Sequence, residues 1–216
     1  MVVPEGRPSE PYGMLVWVSP SGRGSPVKSF VPLLQQFHLI WIGANNSGNE
    51  RGLGPRVGLA LDAVFNVKNQ YKIDEKRIYT SGMSGGAKIA SLLGVAYPDV
   101  FSGAIPICGV IYYRNIPLPN EPNKIWPAAY IRPPIKLFDQ ARQNNRYALI
   151  TGENDMNREP THEFYDKGFV KDKFAHVEYI EVPGMGHNIP EQQWIEKALT
   201  SLDAPLKKTS KEASKK

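Results

Sequence analysis

Short apolar runs recur along the chain at 13–19 (GMLVWVS), 38–43 (HLIWIG), 77–80 (RIYT), 101–108, 147–152 (YALITG) and 177–182 (VEYIEV). Most are apolar at successive rather than alternate positions, the mark of strands buried on both faces. Between them, 27–37, 56–71 and 87–96 space their apolar residues as a helix does; Val57, Leu59, Ala60, Ala63, Val64 and Val67 show the period best. Regular strand–helix alternation predicts the α/β class, with a mostly parallel, doubly wound sheet of about six strands covered by helices on both faces.

At 216 residues and 41% hydrophobic content the chain has material for one domain, placed at 1–206. Four of its five net positive charges come from the tail 207–216 (KKTSKEASKK), which has no large apolar residue and reads as a disordered end. The remainder carries too little charge for a basic face, which argues against nucleic acid as a partner. No apolar run reaches the roughly 18 residues of a membrane span, and no signal peptide is visible. The lone Cys108, in IPICGV, allows no internal disulfide and no multi-cysteine metal site, and its apolar neighbours predict a buried thiol.

The 77–80 strand runs straight into Gly82-Met83-Ser84-Gly85-Gly86, and a helix follows. A Gly-x-Ser-x-Gly pentad alone is weak, because 19 glycines in 216 residues make a chance match about one in ten. Between a strand and a helix it describes a tight turn that exposes a serine hydroxyl, with glycines where backbones pass closely. A serine nucleophile needs a histidine base oriented by a carboxylate.

Of four histidines, His38 opens an apolar strand, His162 lies in a polar helical stretch and His176 begins the last strand. His187, in PGMGHNIP just beyond the last strand, stands at the sheet edge where ligands bind in open parallel sheets. Asp155, three residues past YALITG, is the preferred carboxylate; Glu153 is the runner-up and Asp166 a more distant one. In isolation Asp155 would read as a turn or cap residue. The order Ser84, Asp155, His187, each after a different strand, favours the catalytic reading.

RIYTSGMSGG, ALITGENDMN and VPGMGHNIP resemble the corresponding segments of α/β-hydrolase serine esterases, in particular the polyhydroxyalkanoate depolymerase and feruloyl esterase group, over roughly residues 13–202. The resemblance implies Ser84 as nucleophile, His187 as general base and acid, and Asp155 as orienting carboxylate, in a carboxylic-ester hydrolase that uses no cofactor and no metal. It also fits a secreted or periplasmic mature form. Substrates compatible with it include feruloyl, short-chain acyl, acetylated-glycan and polyester esters.

Two departures qualify the resemblance. Relatives often carry His-Gly-Gly after the first strand, where this chain has Ser19-Pro20-Ser21-Gly22. Proline has no N–H, so the oxyanion donors expected are the Gly85 and Ser21 amides, with Gly22 as fallback. Relatives also place two or more strands before the one that leads to this loop, so that either the sheet is minimal or the chain lacks its beginning.

The connection 110–145, rich in proline and aromatics, is a candidate lid or binding loop. Trp41, Asn46, Tyr112, Trp126 and Trp194 are candidate substrate contacts, the aromatics among them serving equally well as core. Lys88 reads as an exposed first-turn residue. The alternative to an enzyme is a catalytically silent binding module on the same scaffold.

Overall fold

The computed structural model describes residues 1–5, 10–119, 121 and 123–204; the expected lysine-rich tail lies outside them. Six strands form one parallel sheet in the order β2-β1-β3-β4-β7-β8, where β1 is Tyr12–Val18, β2 Leu39–Gly43, β3 Ile73–Met83, β4 Gly103–Ile107, β7 Arg146–Gly152 and β8 Val177–Val182. A separate hairpin pairs β5 (Ile116–Pro117) with β6 (Ile125–Trp126). Val2 adds an isolated antiparallel bridge to Trp41.

Successive residues of each central strand feed opposite faces. From β1, Leu15 and Trp17 pack with Leu33 and Leu34 of α1 (Val31–Gln36) and with Ile195, Leu199 and Leu202 of α6 (Gln192–Asp203). Met14, Val16 and Val18 pack with Val57, Val64 and Val67 of α2 (Leu53–Lys68) and with Ile89, Leu92 and Leu93 of α3 (Gly85–Ala96). Farther along that second face, Tyr147 and Leu149 meet Phe138 of α4 (Ile135–Gln143) and Phe169 of the π-helical segment Phe164–Val170. That segment continues α5 (Arg158–Glu163).

The differences from expectation have local causes. β3 is longer than 77–80 because its first half, IDEKR, is only partly covered and therefore polar. α2 starts at Leu53, since a proline in the first turn removes an N–H that has no intrahelical acceptor, and Pro55 is accommodated there. The 110–145 connection is only partly a loop: it contains the β5–β6 hairpin and α4, and its Tyr112 and Ile116 are fully buried.

The chain leaves β1 for the edge strand β2, then returns across β1 to β3. The segments following β1 and β3 therefore lead to helices on opposite faces, α1 and α3. This reversal opens a crevice at the carboxyl edge of the sheet, the usual ligand position in such folds. Among the described residues, no helix is long and apolar enough to cross a membrane.

Candidate active site

Ser84 connects β3 to α3 with φ 54° and ψ −118°, a backbone conformation that costs a non-glycine residue about 1–3 kcal/mol. The strain is held in place from both sides. Ser84 N–H donates to Ile107 O of β4 at 2.8 Å, and Ser84 O accepts from Lys88 N at 3.1 Å. Beneath the turn, a Cβ on Gly86 would stand 2.0 Å from Val18 O, and one on Gly82 2.5 Å from the same oxygen. Only glycine lets three backbones meet there.

Asp155 and His187 arrive from the neighbouring strands. Glu153 N–H bonds Val182 O, Asn154 N–H bonds Met185 O at 2.9 Å, and a Cβ on Gly152 would lie 2.1 Å from Met185 O, so the loops after β7 and β8 run in close contact. His187 Nδ1 lies 2.7 Å from Asp155 Oδ1. The Asp155 side chain is wholly buried and the imidazole is about one-quarter exposed. Burial alone would raise the Asp155 carboxyl, but bonds from the Asn157 amide, His187, Cys108 and Thr151 outweigh it and hold the group below the ordinary carboxylate value. Asp155 therefore stays ionised and can orient an imidazole. Glu153, the runner-up, instead accepts from Gly184 N–H at 2.7 Å and steadies the turn that precedes His187. Asp166 lies in the π-helical segment and makes no bond to His187.

Cys108 is buried as expected, with an unexpected place: its Sγ lies in a cluster with Asp155 and His187, all ligand atoms within 4.8 Å of one another, and contacts Asn188 O at 3.4 Å. Burial, and then the bond to Asp155, push its thiol well above the usual range. A thiol kept protonated is a poor metal ligand, and the facing atoms of Asp155 and His187 serve each other. The group reads as an oriented imidazole with a buried neighbour. Nothing in IPICGV signalled this position; the positive φ of Cys108, 57°, belongs to the tertiary structure.

On the oxyanion side the two expected donors differ in their present hydrogen bonding. The Gly85 N–H is the first amide of α3 and has no acceptor within the helix. The Ser21 N–H, however, donates to Ser19 Oγ at 3.1 Å, so it is engaged in this structure. The loop that carries it is gripped by the segment after β2. Asn49 N–H bonds Pro20 O, Asn46 N–H bonds Gly22 O, and the Asn49 carboxamide lies against Gly85, where a Cβ would be 2.0 Å from its Oδ1. Asn46 itself is exposed and positive in φ, so its role is a turn against this loop.

Arg56 completes the grip and was missed in the sequence, where it reads as the start of an amphipathic helix. It is 5% exposed, and its guanidinium donates to Ser47 O and Ser19 O, each at 2.9 Å. Burial lowers its pKa, with Glu50 acting the other way. Arg56→Met keeps the stem but strands two buried carbonyls, at about 1–3 kcal/mol each. The expected result is a Tm lower by roughly 5–15 °C, measured by thermal unfolding. An unchanged Tm would show that Arg56 does not hold the loop.

A cavity of about 270 Å³, walled by Val110, Ile111, Trp126, Pro160 and Phe164, comes beside the Ser84 backbone through Gly109, where a Cβ would be 2.8 Å from Ser84 O; Ser84, Asp155 and His187 are not among its lining residues. Trp126 is one of the cavity walls. Trp41 and Tyr112 are not: both are fully buried. Trp41 stacks on Trp17 and donates to Gly24 O, while the Tyr112 hydroxyl donates to Asp172 at 2.9 Å. Trp194, partly buried in the first turn of α6, packs against the core cluster beneath α1 and α6. His38 stacks on Tyr12 at 4.3 Å, His162 meets Tyr179 edge-on, and the His176 carbonyl pairs with Tyr147 N–H; none belongs to the site.

Residues 34–116 match the family model described as Esterase PHB depolymerase. A 62-residue stretch is 40% identical to poly(3-hydroxyalkanoate) depolymerase C of Paucimonas lemoignei, covering 29% of this chain and 15% of that protein. A 66-residue stretch is 30% identical to acetylxylan esterase A of Emericella nidulans, covering 31% and 19% respectively. The matches thus span under a fifth of these relatives' length. Over nearly the whole chain the structure resembles Est1E from Butyrivibrio proteoclasticus, with a TM-score of 0.60, 15% identity and coverage of 91% of this chain and 88% of that one. FphF, a fluorophosphonate-binding serine hydrolase of Staphylococcus aureus, gives 0.60 at 14% identity, covering 94% and 91%. The fold is that of the α/β-hydrolases.

Proposed function

We propose that this α/β-hydrolase is a serine carboxylic-ester hydrolase with Ser84 as nucleophile. The observation that carries the reading is the 2.7 Å pair between His187 Nδ1 and an ionised, buried Asp155, which leaves Nε2 as the proton acceptor, at the sheet edge that also holds the strained Ser84. As Ser84 Oγ attacks the ester carbonyl, His187 takes its proton and Asp155 stabilises the imidazolium. The tetrahedral oxyanion is held by the Gly85 N–H, aided by the positive end of α3, and by the Ser21 N–H once Ser19 Oγ turns away. His187 then protonates the departing alcohol. Water, deprotonated by the same imidazole, cleaves the acyl-enzyme, returning the proton to Ser84 and releasing the acid.

The cavity beside Ser84 suits a short acyl chain or a single ring, with Trp126 as one wall, which keeps short-chain acyl and feruloyl esters in view together with the units of a polyester. A fluorophosphonate probe tests the reading directly. The wild-type chain is expected to be labelled stoichiometrically and Ser84→Ala not at all. A wild-type protein that stays unlabelled would favour the silent binding module, and labelling that survives in Ser84→Ala would place the nucleophile elsewhere.

A further inference from the structure

Resting on the acyl-enzyme reading, we propose that the cavity beside Ser84 takes an ester bearing a carboxylate, with Lys88 as the group that selects it. Among the described residues Lys88 is the one ionisable side chain lining the cavity; the other walls are apolar or aromatic, apart from Asn157. The Asn157 amide group is already used, its Nδ2 donating to Cys108 O at 2.9 Å. Among the described residues no carboxylate forms an ion pair with Lys88, whereas the two basic side chains Arg158 of α5 and Lys167 of the π-helical segment have such partners, in Glu181 and Glu163.

Its place in the helix sharpens the point. Lys88 stands in the first turn of α3, where the macrodipole is positive and a cation is disfavoured. Neither local helix energetics nor a surface ion pair accounts for a lysine there, whereas an anion arriving in the cavity would meet the ammonium and the helix dipole together. The Lys88 amide donates to Ser84 O, which fixes the Lys88 backbone one helical turn from Ser84. Exposure lets Lys88 remain hydrated while the site is empty, and the apolar walls strengthen its attraction for a bound carboxylate. The first-turn position is what made Lys88 look like a bland surface residue in the sequence.

Two matched ester pairs test this: 4-nitrophenyl valerate against mono-4-nitrophenyl glutarate, which puts the carboxylate on the acyl side, and phenyl acetate against 4-acetoxybenzoate, which puts it on the alcohol side. The readout is the ratio of kcat/KM for charged over neutral members, in wild type, Lys88→Met and Lys88→Glu. In at least one pair the wild-type ratio is expected to fall about tenfold in Lys88→Met, the size of one hydrogen bond to a charged group, and further in Lys88→Glu. It should also fall with added salt. Ratios unchanged by both substitutions, with turnover still dependent on Ser84, would overturn the Lys88 assignment alone. Turnover that does not depend on Ser84 in any pair would overturn the acyl-enzyme reading and this proposal with it.

Discussion

Ser84→Ala is expected to lower kcat for 4-nitrophenyl acetate by at least ~10⁴-fold, because the members of a nucleophile–base–acid unit act together and removing the nucleophile forfeits nearly all of their joint effect. What remains is the residual catalysis of the oxyanion donors and of binding. The fold should be unaffected: alanine keeps the Cβ, and both hydrogen bonds at position 84 are made by the backbone. Ser84→Gly separates chemistry from strain. It removes the same hydroxyl, so turnover should be equally low, yet it relieves a positive φ that costs about 1–3 kcal/mol, less the roughly 0.5–1 kcal/mol that glycine loses in backbone freedom. Its Tm should therefore exceed that of Ser84→Ala by a few degrees. Turnover retained in both variants would remove Ser84 from the mechanism. Equal Tm values would show that the elbow stores no strain, whatever Ser84 does.

Features written into local pattern were legible before the structure. Strands buried on both faces announce themselves as unbroken apolar runs, and β8 and most of β7 lie where the pattern puts them. The Asp155–His187 pair was reachable because parallel topology forces the loops after consecutive strands to one edge, so chain order alone narrows the choice. Choosing Asp155 over Glu153 was a finer matter that spacing weakly favoured; the structure separates them by giving Glu153 to the Gly184 amide.

The features missed are those that depend on what lies across a tertiary gap. Arg56 and Lys88 occupy similar first-turn positions on successive helices, yet one is buried against two carbonyls and the other faces a cavity. No periodicity distinguishes them. A common signal was present all the same, since a cation in the first turn of a helix opposes the macrodipole and calls for a reason. The aromatics failed for the complementary cause. Trp41 and Tyr112 lie near the sheet edge in sequence, but large rings are most often needed where strands and helices leave the deepest space, and both are fully enclosed. The engaged Ser21 amide could not have been foreseen either, because Ser19 reaches it through a side-chain turn of a kind that serine forms in many loops.

The same crowding beneath the elbow predicts the largest stability effect. Gly86→Ala would place a methyl 2.0 Å from Val18 O, 2.8 Å from Val18 C and 3.2 Å from Ser19 C, all of them backbone atoms with no rotamer to yield. Relief requires α3 and β1 to part by about an ångström, since carbon–oxygen contacts need more than 3 Å, and β1 is held between β2 and β3 on both sides. Overpacking usually costs about 1–3 kcal/mol where side chains can adjust, so a backbone clash should exceed the upper figure and lower Tm by roughly 10 °C or more. Activity should suffer separately, because the displaced atoms connect the Gly85 donor to the loop of Ser19 and Ser21. A misplacement of about 1 Å at such a site is worth up to ~10²-fold in rate. Gly58→Ala is the control. Gly58 sits inside α2 with nothing within 4 Å of an added Cβ, so alanine there should raise stability by about 0.8–1 kcal/mol through helix propensity alone. Thermal unfolding and 4-nitrophenyl acetate turnover of the two variants side by side decide the matter. If Gly86→Ala melted within a couple of degrees of wild type, the close approach of β1, β3 and α3 would not be what holds the elbow in place.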